Sequence, residues 1–309
     1  MRFTGTLFLV LAGVYGLSSL LLSIAVAGSW HAGVKRIGLA SGELLALRLL
    51  PSVGASFLTL TVVLPAFFVY EPRHETERVG PLLVALTLLA LLAIGHGMLR
   101  GWRAWTATRA LLLSCGPPRG CKIVAGVEIV DVREPLVAVV GGWRPRVLAA
   151  HCVRAACSDE EFQQVIAHEA AHVAAHDNLK LLLLLTSPDA LAWMPAGDAL
   201  TERWRATAEL EADAHASGGD PCKRVTLAAA LIKVARLSLA AERRSPVLSM
   251  AVAFDDVQGR VRELLAPSSP RRRLDTRVLM AGALMVLIAT APLYGPIQEF
   301  IESLVAFGR

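Results

Sequence analysis

The sequence predicts a mainly α-helical integral membrane protein, with four membrane-spanning helices and an α+β domain inserted between the third and the fourth. Three observations carry that expectation. The composition is apolar, with 54% hydrophobic and 18% charged residues and a mean hydropathy of +0.52. Residues 4–27, 49–70, 79–99 and 278–298 each lack Lys, Arg, Asp and Glu over at least the ~20 residues a spanning helix needs. Between the third and fourth stretches lie about 175 residues of mixed character, enough for one domain with its own core.

Taken in order, the first span follows Arg2 and ends near Ala25-Val26-Ala27, which resembles a signal-peptide cleavage site. Its apolar run is longer than a usual signal core, so it reads as a retained helix. The second span holds Pro51 and Pro65, tolerable where neighbouring groups re-satisfy the backbone. His96, near the end of the third, reads as a snorkelling or bundle-facing side chain.

Charge placement sets an expected topology. Lys35, Arg36 and Arg48 follow span one, and Arg100, Arg103 and Arg109 follow span three. Arg271, Arg272, Arg273 and Arg277 precede span four, whereas the other side carries only Arg2, Arg73, Arg78 and Arg309. The positive-inside rule then puts the inserted domain, 101–276, in the cytoplasm of a multi-pass membrane protein with both termini outside. Five cysteines without a Cys-x-x-Cys pair fit a reduced compartment. The net charge of +5 reflects membrane-edge arginines that serve as a topology signal and lipid contact, so no nucleic-acid partner is expected.

Within the domain, 122–132 and 136–140 are rich in Val and Ile, and 146–150 follows Gly141-Gly142. This predicts short strands with a hairpin joining the last two. An edge strand ahead of the following helix can serve as scaffold or can bind an extended chain by strand addition.

Ser158-Asp159-Glu160-Glu161 is a capping box that opens a helix, and Phe162, Val165, Ile166 and Val173 recur at helical spacing. That helix carries His168-Glu169-Ala170-Ala171-His172. The four-residue spacing stacks both imidazoles on one face, where two ring nitrogens can hold one zinc ion with Glu169 beside them as a base. Residues 199–216, rich in Ala, Leu, Glu and Arg and stopped by Gly218-Gly219, predict a second helix. Its Glu209 supplies a carboxylate that completes a three-ligand site with one open position, the catalytic arrangement. Asp213, one turn on, is placed to accept the other N–H of a liganding imidazole. The bland alternative is a solvated face rich in glutamate.

Between these helices, 181–195 is apolar but broken by Ser187-Pro188-Asp189. It reads as an interfacial or re-entrant segment that holds the site near the bilayer surface. Helices at 223–242 and 254–265 close the domain. The fourth span and a short tail fill 277–309.

Together, His168-Glu169-x-x-His172, the following His176-Asp177-Asn178-Leu179, Arg144-Pro145-Arg146 upstream and Glu209-x-x-x-Asp213 downstream resemble the BlaR/MecR-type membrane zinc peptidases, relatives of the HtpX and CAAX prenyl protease families. The specific motifs occupy roughly 135–215. The resemblance implies a gluzincin-type α+β peptidase domain. In it the residues matching His168, His172 and Glu209 bind zinc, that matching Glu169 is the general base, and that matching Asp213 supports a ligand histidine.

It further implies a zinc metalloendopeptidase cleaving a cytosolic or membrane-proximal protein in regulatory signalling, in the manner of an antirepressor. The expected partner is a protein substrate, a transcriptional repressor or the chain itself, beside the lipid bilayer. Well-known members carry a β-lactam-binding domain after the last span. Eleven residues follow Gln298 here, so that sensing function is not expected. A quality-control or prenyl-protein-type protease is one alternative, and a metal-binding transducer without proteolysis is another. His176 lacks the metzincin third-histidine spacing and is expected to play a supporting or solvated role. The donor for the oxyanion stays open between His215 and several arginines.

Overall fold

The protein is described from a computed structural model. It describes residues 3–70, 80–114, 122–124, 127–130, 132, 135–242 and 250–266. The expected fourth span, Arg271–Arg273 and the cysteines Cys115 and Cys121 lie outside the described residues. Cys152, Cys157 and Cys222 carry no disulfide. The fold is mainly helical, and two compact units divide it.

The first unit comprises residues up to 101 together with 184–202. Its elements are α1 (Phe3–Ala32), a 3-10 turn at Val34–Arg36, α2 (Ser41–Leu58), a π turn at Thr59–Val63, α3 (Leu64–Tyr70) and most of α4 (Pro81–Ser114). Three helical stretches, Thr4–Ala32, Ser41–Val69 and Pro81–Leu113, are long and apolar enough to cross a membrane. The π turn ends two residues before Pro65, whose missing N–H removes one helical hydrogen bond and whose ring crowds the preceding turn, in keeping with a backbone that widens there. Val10, Val14, Val63, Phe67 and Leu83 form a buried cluster. Gly16 lets α1 approach α4 closely: a Cβ there would lie 2.4 Å from the Leu86 carbonyl oxygen.

Residues 184–202 pack with these helices through Leu184, Leu191 and Leu200, all fully buried. A 3-10 turn, Ala190–Trp193, is stitched in by polar contacts. The Tyr15 hydroxyl donates to the Pro188 carbonyl at 2.7 Å, and the Leu191 N–H donates to Ser23 Oγ at 3.1 Å. The hydroxyls of Ser52 and Ser187 lie 2.7 Å apart. Arg48, only 1% exposed, donates from one guanidinium nitrogen to both carboxylate oxygens of Asp189 at 3.0 and 3.1 Å. Arg48 was expected to be one of the charges flanking the spans. It instead lies inside the Ser41–Val69 stretch as half of a buried ion pair. His96 faces the Trp193 ring, with centroids 5.7 Å apart, in keeping with a bundle-facing role.

The second unit comprises 102–183 and the described residues of 203–270. Strands β1 (Lys122–Val124), β2 (Val127–Val130), β3 (Val137–Val140) and β4 (Arg146–Ala150) form one sheet in the order β1-β2-β4-β3. β3 and β4 are the expected antiparallel hairpin, and β2 runs parallel to β4. Gly141, at φ 98°, takes the left-handed turn residue after β3. The helices are α5 (His151–Ala156), α6 (Asp159–Ala175), α7 (Asp177–Thr186), α8 (Pro195–Ser217), α9 (Pro221–Glu242) and α10 (Met250–Leu265).

The capping box forms as the sequence predicts. Glu161 N–H donates to Ser158 Oγ and Ser158 N–H donates to the Glu161 carboxylate, which Lys233 of α9 also contacts at 2.7 Å. Val127, Ala149, Val153 and Phe162 close one core between sheet and helices. Ala216, Leu227, Ala228 and Leu264 close another, with Ala167 packed against it. This second cluster brings α6, α8, α9 and α10 together, and so positions the site.

Candidate metal centre

His168 and His172 rise from adjacent turns of α6, with ring centroids 4.7 Å apart and planes at 86°. Their Nε2 atoms face each other at 3.1 Å. Glu209 of α8 completes the group, its carboxylate oxygens 3.4 Å from His168 Nε2 and 3.5 Å from His172 Nε2. One ligand atom from each of the three residues falls within 4.8 Å of the others, an arrangement that can hold a metal ion.

The outer ring nitrogens decide whether the group fits a cation. His172 Nδ1 lies 2.8 Å from an Asp177 oxygen, and His168 Nδ1 lies 2.9 Å from an Asp213 oxygen. The Asp177 contact is a hydrogen bond that favours the His172 tautomer with the proton on Nδ1 and its Nε2 lone pair inward, whereas His168 Nδ1 is close to Asp213 but not aligned for a hydrogen bond. Two Nε2 atoms and a carboxylate then converge on one point, which is electrostatically sound only with a cation between them. The residues fit the metal.

Arg260 and the histidines also bring positive charge to the two carboxylates. Burial alone would lower the pKa values of both histidines. The Asp177 carboxylate, which accepts from the His172 ring, and the nearby Glu209 carboxylate nevertheless push His172 up to about 10. Asp213 and Glu209 likewise raise His168. Burial would raise Glu209 and Asp213, but the histidines and Arg260 hold both below the usual carboxylate range. Arg260 of α10 contacts Glu209 Oε2 at 2.8 Å and forks onto Asp213 at 2.7 and 2.8 Å.

Glu169 is 8% exposed, and burial pushes its carboxyl above the ordinary range. It shares a cavity of about 570 Å³ with His168, His172 and Glu209. The remaining walls are mostly apolar, among them Val137 and Val139 of β3, Leu181 of α7, Trp204 of α8 and Leu231 of α9. Four of the residues expected from the sequence, His168, Glu169, His172 and Glu209, therefore line one cavity, and Asp213 lies beside His168 and Arg260.

Of the side chains left open for stabilising an anion, Arg205 and Arg260 line the cavity. His215 is exposed and is absent from its lining. His176 is also exposed. It ends α6 in the left-handed conformation, φ 56° and ψ 37°, which makes its role conformational and solvated.

Two participants escaped the sequence reading. Asp177 stands five residues after His172, off the liganding face of a continuous helix. The left-handed turn at His176 folds it back, and Lys180 steadies it at 3.0 Å. Burial would raise Asp177, but bonding to His172 and Lys180 lowers it. Arg260 lies outside every motif quoted above, and only the packing of α10 brings it in.

Comparison of the chain with protein-family models, with curated proteins and with solved structures gives no match in any of the three. The site's chemistry rests on its own geometry.

Proposed function

We propose that this chain is an integral-membrane zinc metalloendopeptidase that cleaves a cytosolic or membrane-proximal protein. The single observation that carries the reading is the meeting of Glu169 with an inward-facing His168–His172–Glu209 group in one cavity. Among the described residues the group has three members, as a catalytic zinc site does, whereas a closed structural site has four protein ligands. A purely structural site also has no use for a buried carboxyl beside it.

Zinc held there supplies Lewis acidity and a water whose pKa is lowered toward ~7. Glu169 accepts the proton of the attacking water and returns it to the leaving amine. Asp177 fixes the His172 tautomer, the Asp213 carboxylate sets negative charge beside the His168 ring, and the apolar walls exclude competing water. β3 is the edge of its sheet and lines the cavity, so an extended substrate segment can add to it as a further strand.

The BlaR/MecR-type resemblance supports a regulatory substrate such as a transcriptional repressor, or the chain itself. The positive-inside pattern supports a four-span topology, with the peptidase domain in the cytoplasm and both termini outside. The test uses purified full-length protein with zinc and reduced, alkylated casein. Cleavage that disappears with chelator and in Glu169→Gln supports the proposal. Cleavage that persists in zinc-replete Glu169→Gln contradicts it.

A further inference from the structure

Asn178 is not used by the proposed chemistry, yet it touches both halves of the site. Its side-chain Nδ2 donates to the Val139 carbonyl at 2.8 Å and to the Gly141 carbonyl at 3.1 Å. It is also the residue after Asp177, which holds His172. Asn178 itself lines the cavity.

The register of β3 shows what those contacts do. Val137 lies opposite Ala149 and Val139 opposite Val147, and Ala150 N–H donates to the Leu136 carbonyl. In an antiparallel pair the bonding direction alternates from residue to residue. Leu136, Ala138 and Val140 therefore turn their backbone groups toward β4, and Val137 and Val139 turn theirs outward. Of the outward groups, Asn178 takes the Val139 carbonyl and then caps Gly141 beyond it. Within β3, Val137–Val140, the outward groups left beside the Asn178 cap are Val137 N–H, Val137 C=O and Val139 N–H.

A strand that added to an uncapped edge could slide by two residues and keep the same side chains facing inward. Such a slip would carry a different peptide bond to the metal. The carboxamide blocks that slip, and its attachment next to Asp177 sets the end of the usable edge at a fixed chain distance from His172.

We propose that Asn178 is a positioning residue that sets the register of an extended polypeptide substrate on β3, and so selects which peptide bond reaches Glu169. This rests on the peptidase reading above. The ligand class is an unfolded or locally extended protein segment, recognised by backbone pairing over Val137–Val139.

The experiment uses full-length, zinc-loaded protein and reduced, alkylated casein, with cleavage sites mapped by mass spectrometry. In Asn178→Ala, each principal site is expected to be joined by new sites two residues away. The kcat/KM at the principal site is expected to fall roughly 10–100-fold, as misplacement of a reacting group by about 1 Å does. Zinc stoichiometry should be unchanged. Asn178→Asp keeps the shape but removes the donor, and it should behave alike.

An unchanged cleavage pattern at an unchanged rate overturns the proposal. So does dispersal that accompanies zinc loss, because Asn178 would then support the metal and not the register.

Backbone hydrogen exchange in Glu169→Gln protein gives a readout without turnover. Casein should slow exchange at Val137 and Val139 and leave Gly141 unaffected. Protection through Gly141 with Asn178 intact, or none on β3, overturns the proposal while casein cleavage by the wild type still upholds the peptidase reading. Protection confined to Val137 and Val139 in a protein that never cleaves supports the docking edge and contradicts the peptidase reading.

Discussion

His172 Nδ1 lies 2.8 Å from Asp177 Oδ2, across a left-handed turn at His176 that ends the helix carrying both histidines. The end of α6 is therefore also part of the metal site. A regular continuation of the helix would carry Asp177 away from the ring it orients. A carboxylate in this position fixes the tautomer and raises ligand basicity, and its loss typically costs 10–100-fold in metal affinity. Asp177→Asn is expected to weaken zinc binding by about that factor, measured by competition with a chromophoric chelator. Unchanged affinity would show that the Asp177 contact is not used in the metal-bound state.

Glu209 bridges the two imidazoles from a different helix, so its removal leaves only the pair on α6. Glu209→Ala is expected to lose most of its zinc on gel filtration without added metal. Glu169→Gln is expected to retain it. Stoichiometric metal in Glu209→Ala would remove Glu209 from the ligand set.

The electrostatics give opposite pH trends for the two forms. In the metal-free protein the His172 pKa is raised from 6.5 to about 10. Its protonation therefore contributes stability that is fully present below pH 6.5 and lost as pH rises through about 10. Metal binding needs those nitrogens unprotonated, so zinc affinity rises across the same window. Chelated protein should show a falling unfolding temperature between pH 6.5 and 10. The stabilisation added by zinc should grow over that range. A metal-free protein insensitive to pH there would contradict the assigned pairing of His172.

Arg48 and Asp189 form a buried pair within an apolar helical unit. Asp189→Ala would leave a guanidinium without its counter-charge, at a cost of about 3–5 kcal/mol. Arg48→Met combined with Asp189→Leu removes both charges and should recover most of the loss. Thermal unfolding in detergent distinguishes the two, and equal destabilisation by the single and double variants would argue against the pair as the cause.

What the sequence made legible follows from physics that is local in the chain. Helix periodicity and the capping box placed His168, His172 and Glu169, and the glycine stop placed the helix bearing Glu209 and Asp213. Valine-rich runs around Gly141-Gly142 placed the hairpin. Hydropathy found the three described helical stretches that are long and apolar enough to cross a membrane, although α4 runs on to Ser114 through a stretch with three arginines. The remainder depended on non-local packing or on a single dihedral. Asp177 needed the left-handed turn at His176, a conformation rare outside glycine and asparagine. Arg260 needed α10 to pack on α9. Arg48 read as a flanking charge because its partner, Asp189, lies 141 positions further along the chain. The apolar segment around 181–195 read as interrupted for the same reason: its polar residues meet partners on α1 and α2 that periodicity does not reveal.

The most direct test of the central claim compares newly formed protein N-termini in cells expressing wild-type protein and Glu169→Gln at equal levels. Termini present only with the wild type are predicted, and they would name the substrate, the chain itself included. Identical sets from the two strains, with both proteins zinc-loaded, would contradict proteolysis and leave a metal-binding membrane transducer.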